Sequence, residues 1–256
     1  MLDRFSERMS ARSAALLLTI DGRLDVILKY WLVLAGIASA LRIASAPHFL
    51  PVASFSTFGS YMLLVVAPFA STLLALRWFP EDHSQPQPAI RLARLGRWQA
   101  VSHGEARSHP QYGTNGIMVS LLVGIMLNVP IRAAEYLAAM PPMPTTAPQW
   151  FSVLHLAMTF DAVVFTSLYM VAFVAALRRV PLFPRLLVAI WIGDVAMQLV
   201  TAQMVAATHV PPAVAHALQT VLEGNVKKVL ISAALWLPYL LLSTRVNVTY
   251  RSRLPA

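Results

Sequence analysis

Long apolar runs separated by short polar ones set the pattern of this chain. A helix needs about 20 mostly apolar residues to cross a bilayer core. Six segments reach that length, at residues 25–46, 55–77, 115–137, 152–177, 184–208 and 222–244. The second lies inside a run from Ile43 to Leu76 that holds no Asp, Glu, Lys or Arg. No long stretch alternates with period two, which argues against a β-barrel. The pattern therefore predicts an all-α membrane protein with six transmembrane helices.

The polar intervals divide the chain. Residues 1–24 form an N-terminal segment whose apolar patch, Ala14 to Ile20, reads as a short interfacial helix broken at Asp21-Gly22. Residues 25–79 make a two-helix transmembrane hairpin, 80–113 a basic loop, and 114–252 a four-helix transmembrane domain. The opening residues carry acids and lack a small-residue cleavage site, so they do not read as a signal peptide.

Composition sharpens this picture. Of 256 residues 57% are hydrophobic and 12% charged, and the mean hydropathy is +0.62. Soluble domains carry about 25% charged residues, so much of this surface is expected to face lipid. The net charge of +9 would suggest nucleic acid in a soluble protein, but its distribution argues otherwise. With the N-terminus inside, sixteen of the twenty Lys and Arg residues fall on cytoplasmic segments, and only Arg42, Arg132, Lys227 and Lys228 fall elsewhere. That asymmetry predicts both termini in the cytoplasm and no nucleic-acid partner. In the basic loop, Arg91, Arg94 and Arg97 share one side of a helical wheel, but Ile90 and Trp98 fall among them. Such a strip suits anionic lipid headgroups or a docked partner. The simpler reading is a solvated loop with ordinary positive-inside charge.

Ionisable side chains inside spans are the strongest pointers to function, since each costs roughly 2.5–3.5 kcal/mol at the bilayer centre on insertion scales. Asp161 and Asp194 lie near mid-span in the fourth and fifth segments. Gln198 and Thr201 follow Asp194 at helical spacing, giving one polar stripe. Lys227 and Lys228 enter the sixth segment from the side that Asp161 enters the fourth, which makes a pair between Asp161 and either lysine geometrically possible. Arg132 and Glu135 stand at i and i+3 and can satisfy each other. Asp161, Asp194, Gln198, Thr201, Lys227 and Lys228 together form the candidate intramembrane polar site.

Catalytic motifs are missing: there is no H-E-x-x-H, no G-x-x-x-x-G-K-[ST] and no G-x-G-x-x-G. With no cysteine, thiolate chemistry and disulfides are excluded. His103 and His109 lie six apart in the basic loop, which is no recognised metal spacing, and His155, His209 and His216 fall near the outer face, where they could ligate a metal or haem iron but read more simply as scattered interfacial histidines. The expectation is no enzyme activity, no cofactor and no metal.

The last span leads into "WLPYLLLSTRVNVTY", from Trp236 to Tyr250. Pro238 interrupts the last span, Arg245 marks the expected headgroup level, and Val246 to Tyr250 are expected to run along the interface. The order Trp236, Pro238, Tyr239, Ser243, Arg245, Val246, Thr249, Tyr250 resembles the C-terminal signature of the bacterial inner-membrane family catalogued as domain of unknown function 2569. That signature is close to W-x-P-Y-x3-S-x-R-V-x2-T-[FY]. The stretch "ALRRVPLFPRLLVAIW" also looks like the family's basic then Phe-Pro turn, and the resemblance covers roughly residues 110–252. It implies a multi-pass protein of the bacterial inner membrane and carries no assigned activity.

Two functions compete. The favoured expectation is a non-catalytic scaffold, assembly or accessory component of a membrane complex, packed against another membrane protein or a second copy of itself. The alternative is a small proton- or cation-coupled transporter using Asp161, Asp194 and Lys228. An open polar cavity reaching Asp194 would favour transport, whereas a dry bundle with Asp161 paired to lysine, plus an exposed flat apolar face, would favour the accessory role.

Overall fold

The computed structural model describes residue 13 and residues 15–46, 55–80, 86–88, 96–144 and 146–256. The first twelve residues, Ala14, and the loop stretch containing Arg91 and Arg94 lie outside the described residues. Six helices are long and apolar enough to cross a membrane, and the protein is an all-α, multi-pass membrane protein. They are α1 (Leu24–Ala44), α2 (Phe55–Trp78), α4 (Ile117–Ala139), α5 (Gln149–Leu177), α6 (Phe183–Ala206) and α7 (Pro212–Leu242). Short elements complete the chain: β1 (Trp98–Ala100), α3 (His103–Ser108), α8 (Thr244–Arg251) and β2 (Arg253–Pro255).

The centre of the bundle is α5, packed against α2, α4 and α6. From Ala172 to Ala176 every side chain is fully covered, and three of these five are alanines. Small side chains let helix backbones approach closely, which replaces the hydrophobic drive that lipid does not supply. Helix α5 ends in a Schellman motif: Val180 N–H donates to the Ala175 carbonyl at 2.8 Å and Arg179 N–H to that of Ala176 at 3.1 Å. Arg179 takes the left-handed position (φ 57°) that glycine usually fills, and its guanidinium covers the Tyr112 ring at 5.6 Å.

Prolines sit inside α2, α4 and α7 at Pro68, Pro130 and Pro238. Each lacks an N–H and leaves a carbonyl without its helical partner. Around Pro68, side chains engage the neighbouring carbonyls: Trp31 donates to Val65 O at 2.9 Å and Thr72 to Pro68 O at 2.7 Å.

Helix α7 starts ten residues earlier than the hydropathy suggests. Pro211 and Pro212 open it, with proline in the first turn where its missing N–H is harmless. At about 1.5 Å per residue it spans about 46 Å, more than the roughly 30 Å hydrocarbon core. It packs on α6 and α8, and only 11% of its most apolar window is covered.

The basic loop contributes β1, which pairs antiparallel with β2 in the register Gln99↔Leu254. This pairing joins the middle of the chain to its C-terminus on one face of the bundle, called here the terminal face. The N-terminal patch is also corrected. Residues 15–22 are helical and the turn falls at Arg23. Leu17 and Ile20 pack into the core with Leu24 and Leu28, while Leu16 and Leu18 stay exposed.

Candidate functional site

Three helices deliver a buried ion cluster. Arg132 comes from α4, Asp161 from α5 and Asp194 from α6. All three helices have one end at the terminal face, and at about 1.5 Å per residue the three side chains start about 17–24 Å from it. They therefore lie within a hydrocarbon core about 30 Å thick.

One guanidinium serves both carboxylates. Arg132 Nη1 donates to Asp161 Oδ2 at 2.9 Å, and Nη2 donates to Asp194 Oδ2 at 2.5 Å. Asp194 is completely covered and Asp161 nearly so. Underneath, the guanidinium rests on the Phe165 ring, 5.1 Å from its centroid. Gln198 Nε2 donates to Asp161 Oδ1 at 2.9 Å and to Asp194 Oδ1 at 3.4 Å. Tyr169 Oη donates to Asp194 Oδ2 at 3.3 Å. Asn225 on α7 donates to Gln198 Oε1 at 3.3 Å. The network thus runs from α4 to α7 through every helix between them.

Several expectations change here. Asp161 pairs with Arg132, and not with Lys227 or Lys228. Lys227 is exposed and pairs with Glu223 on its own helix at 3.7 Å. Lys228 forms a close ion pair with Glu135 of α4. Arg132 and Glu135, which could satisfy each other along α4, bond instead to other helices, because the two aspartates face the arginine from the bundle interior. The Asp194, Gln198, Thr201 stripe is real in that all three are buried on α6. Only the first two join the network. Arg132 is the residue that sequence reasoning left out of the site. Its depth in an apolar span was the available signal.

A cavity of about 560 Å³ opens between α4, α5 and α7. Arg132 and Asp161 form part of its wall, with Asn128, Tyr136 and Tyr169 beside them, and Lys228 and Glu135 also line it. The Asn128 Oδ1 atom is buried and finds no hydrogen-bond partner among the described residues. A second, mostly apolar hollow of about 780 Å³ lies between α6 and α7, with Gln198 in its lining. The Gln198–Asn225 bond stands between the two spaces.

The C-terminal signature residues build a structural latch. Ser243 breaks α7 in an extended conformation, and α8 turns under the bundle with Val246 to Arg251 all buried. Tyr250 Oη donates to Ala176 O at 2.9 Å, and its ring packs 5.1 Å from Phe183. Thr249 Oγ1 accepts from Gly113 N–H at 2.9 Å. Arg245 donates to the carbonyls of Gln111 and Gly113 at 3.3 and 3.4 Å. Trp236 and Tyr239 meet edge to face at 6.0 Å, with Pro238 between them in sequence. This corrects the expectation that Val246 to Tyr250 run along the interface, since all five are buried under the bundle. Burial holds the Tyr250 hydroxyl protonated, well above its ordinary pKa of 10.0. Burial, with Arg253 and Arg185 nearby, pushes Arg251 down to about 10.

No family model, curated protein or solved structure matches this chain.

Proposed function

We propose that this chain is a small proton- or cation-coupled transporter of the bacterial inner membrane, with both termini in the cytoplasm. The observation that carries this reading is the cavity whose wall includes Asp161 and Arg132. Asp194 is sealed behind that wall, and Arg132 links it to Asp161, which borders the cavity. Here a charged pair within the hydrocarbon depth borders open space, as groups that bind and release a solute must.

The arrangement also supplies a coupling device. Asp161 and Asp194 compete for one guanidinium. A proton or cation on one carboxylate releases Arg132 toward the other. Gln198, bonded to both acids and to Asn225, carries that change to α7. Helix α7 is tied to this region by the Asn225–Gln198 and Lys228–Glu135 bonds and is otherwise little covered. It is thus the helix best placed to move. The cytoplasmic termini rest on the distribution of Lys and Arg, and the bacterial inner membrane on the resemblance of Trp236 to Tyr250 to domain of unknown function 2569. Purified protein in liposomes, loaded with a pH-sensitive dye, tests the reading. Wild type is expected to show protein-dependent proton or cation flux and Asp194→Asn to abolish it. Equal flux from both and from empty liposomes refutes it.

A second reading has its own support. The apolar face of α7 is bare of other helices, with Leu230 and Ile231 exposed. That favours a scaffold or accessory role in which another membrane protein, or a second copy, covers α7. Anionic lipid is a further expected partner at the basic terminal face. Co-purification of a stoichiometric partner in mild detergent, with no flux, would move the assignment to this role.

A further inference from the structure

The cavity beside Arg132 carries a charge imbalance. Arg132 brings one positive charge to two carboxylates, Asp161 and Asp194. At the edge, Lys228 and Glu135 cancel each other. The buried part is therefore one positive charge short. An uncompensated charge is expensive in this environment. A cationic solute removes the imbalance, whereas an anionic one doubles it.

Hydrogen-bonding capacity points the same way. A carboxylate offers about four lone-pair sites, and Asp161 uses one oxygen for Arg132 and the other for Gln198. It can accept more. The unpartnered Asn128 Oδ1 on the same wall also needs a donor. Arg132, the group that would clasp an anion, already has both terminal nitrogens engaged and its face on Phe165. The Tyr136 and Tyr169 side chains line the space, and aromatic rings attract ammonium ions. Ile131, Ala139, Val221 and Val229 supply an apolar remainder. A volume of about 560 Å³ falls in the roughly 300–1,000 Å³ range of small-molecule sites.

We infer that the cavity between α4 and α7 binds a monovalent organic ammonium ion of small-molecule size, its N–H groups on Asp161 and Asn128 and its apolar body toward α7. This rests on the transport reading and names the solute class for that site. A proton or an inorganic cation alone would satisfy the charge and leave the apolar wall bare.

The test uses the full chain in lipid nanodiscs and three isosteric probes, benzylammonium, benzyl alcohol and benzoate. Binding is read by calorimetry against protein-free nanodiscs. Benzylammonium is expected to bind saturably and at least about tenfold more tightly than the alcohol, with benzoate not binding. Asp161→Asn and Asn128→Leu are each expected to weaken it about tenfold or more. Asn128→Leu keeps the test sound should Asp161→Asn fail to fold. Tighter binding of benzoate, equal binding of all three, or no binding overturns the inference. Ammonium-selective binding without coupled flux in liposomes refutes the transport reading and leaves the solute class standing. Coupled flux without ammonium selectivity does the reverse.

Discussion

Arg132 Nη1 stands 2.9 Å from Asp161 Oδ2, bonding α4 to α5 across 29 residues of sequence. The same guanidinium reaches Asp194, so removing it strands two buried carboxylates. Breaking a buried ion pair by deleting one partner costs about 3–5 kcal/mol. Arg132→Met is expected to lose that much in unfolding assays in detergent. Adding Asp161→Asn and Asp194→Asn to it should recover part of the loss. Strictly additive losses would show that the three groups do not interact.

Asp161 and Lys228 are expected to be energetically independent. Each has its own partner, Arg132 and Glu135 respectively. The double variant Asp161→Asn/Lys228→Ala should show additivity within about 0.5 kcal/mol. A coupling of 1 kcal/mol or more, on the order seen for contacting pairs, would restore the lysine pairing that the sequence suggests.

The latch at the terminal face gives a third test. Thr249→Val removes the acceptor of the Gly113 N–H, and leaving a buried donor unsatisfied costs about 1–3 kcal/mol. Tyr250→Phe removes one bond to the Ala176 carbonyl, which keeps a second donor in Arg179 N–H. Its cost should be smaller, about 0.5–1.5 kcal/mol. Hydrogen exchange at Gln99 and Val101 should accelerate in Thr249→Val. Unchanged exchange would mean that the β1–β2 pairing holds without the latch.

Acid should open α3 before the rest of the fold. Glu105 closes a capping box with Ser102, accepting from its backbone N–H and its hydroxyl, each at 2.8 Å. The Ser102 bonds hold its carboxyl below the ordinary value of 4.5. A group whose pKa is lowered by folding stabilises the fold above its unfolded value. That support is lost as pH falls through the lowered folded value. Amide exchange in α3 is therefore expected to speed up, relative to the intrinsic rate, below about pH 4.5. Ser102→Ala should remove the pH dependence. If the variant keeps it, another group controls the opening.

What the sequence revealed follows from the range of each interaction. A span is a local property, so all six could be read from apolar length, as could the Asp194–Gln198 spacing along one helix. The early start of α7 was hidden because two prolines open it and His216, Gln219 and Thr220 interrupt its otherwise apolar first turns. The Arg132 pairing was illegible for a different reason. Its partners lie 29 and 62 residues away, while Glu135 offers a plausible partner one turn along the same helix. Only the placement of α5 and α6 against α4 decides between them. Strands of three residues, like β1 and β2, carry too little pattern to announce themselves.

Because the chain contains no cysteine, an introduced one reports on a single place. Met158 on α5 lines the cavity and is half-buried, whereas Ala172 on the same helix is sealed in the core. The direct measurement is the rate at which a small cationic methanethiosulfonate reagent modifies Met158→Cys and Ala172→Cys in nanodiscs. Rapid labelling at position 158, slowed by benzylammonium, with position 172 inert, is the expected result. Equal inertness at both positions would mean that no route leads from the surface to the ion cluster, and a site for solute at Asp161 would then be contradicted.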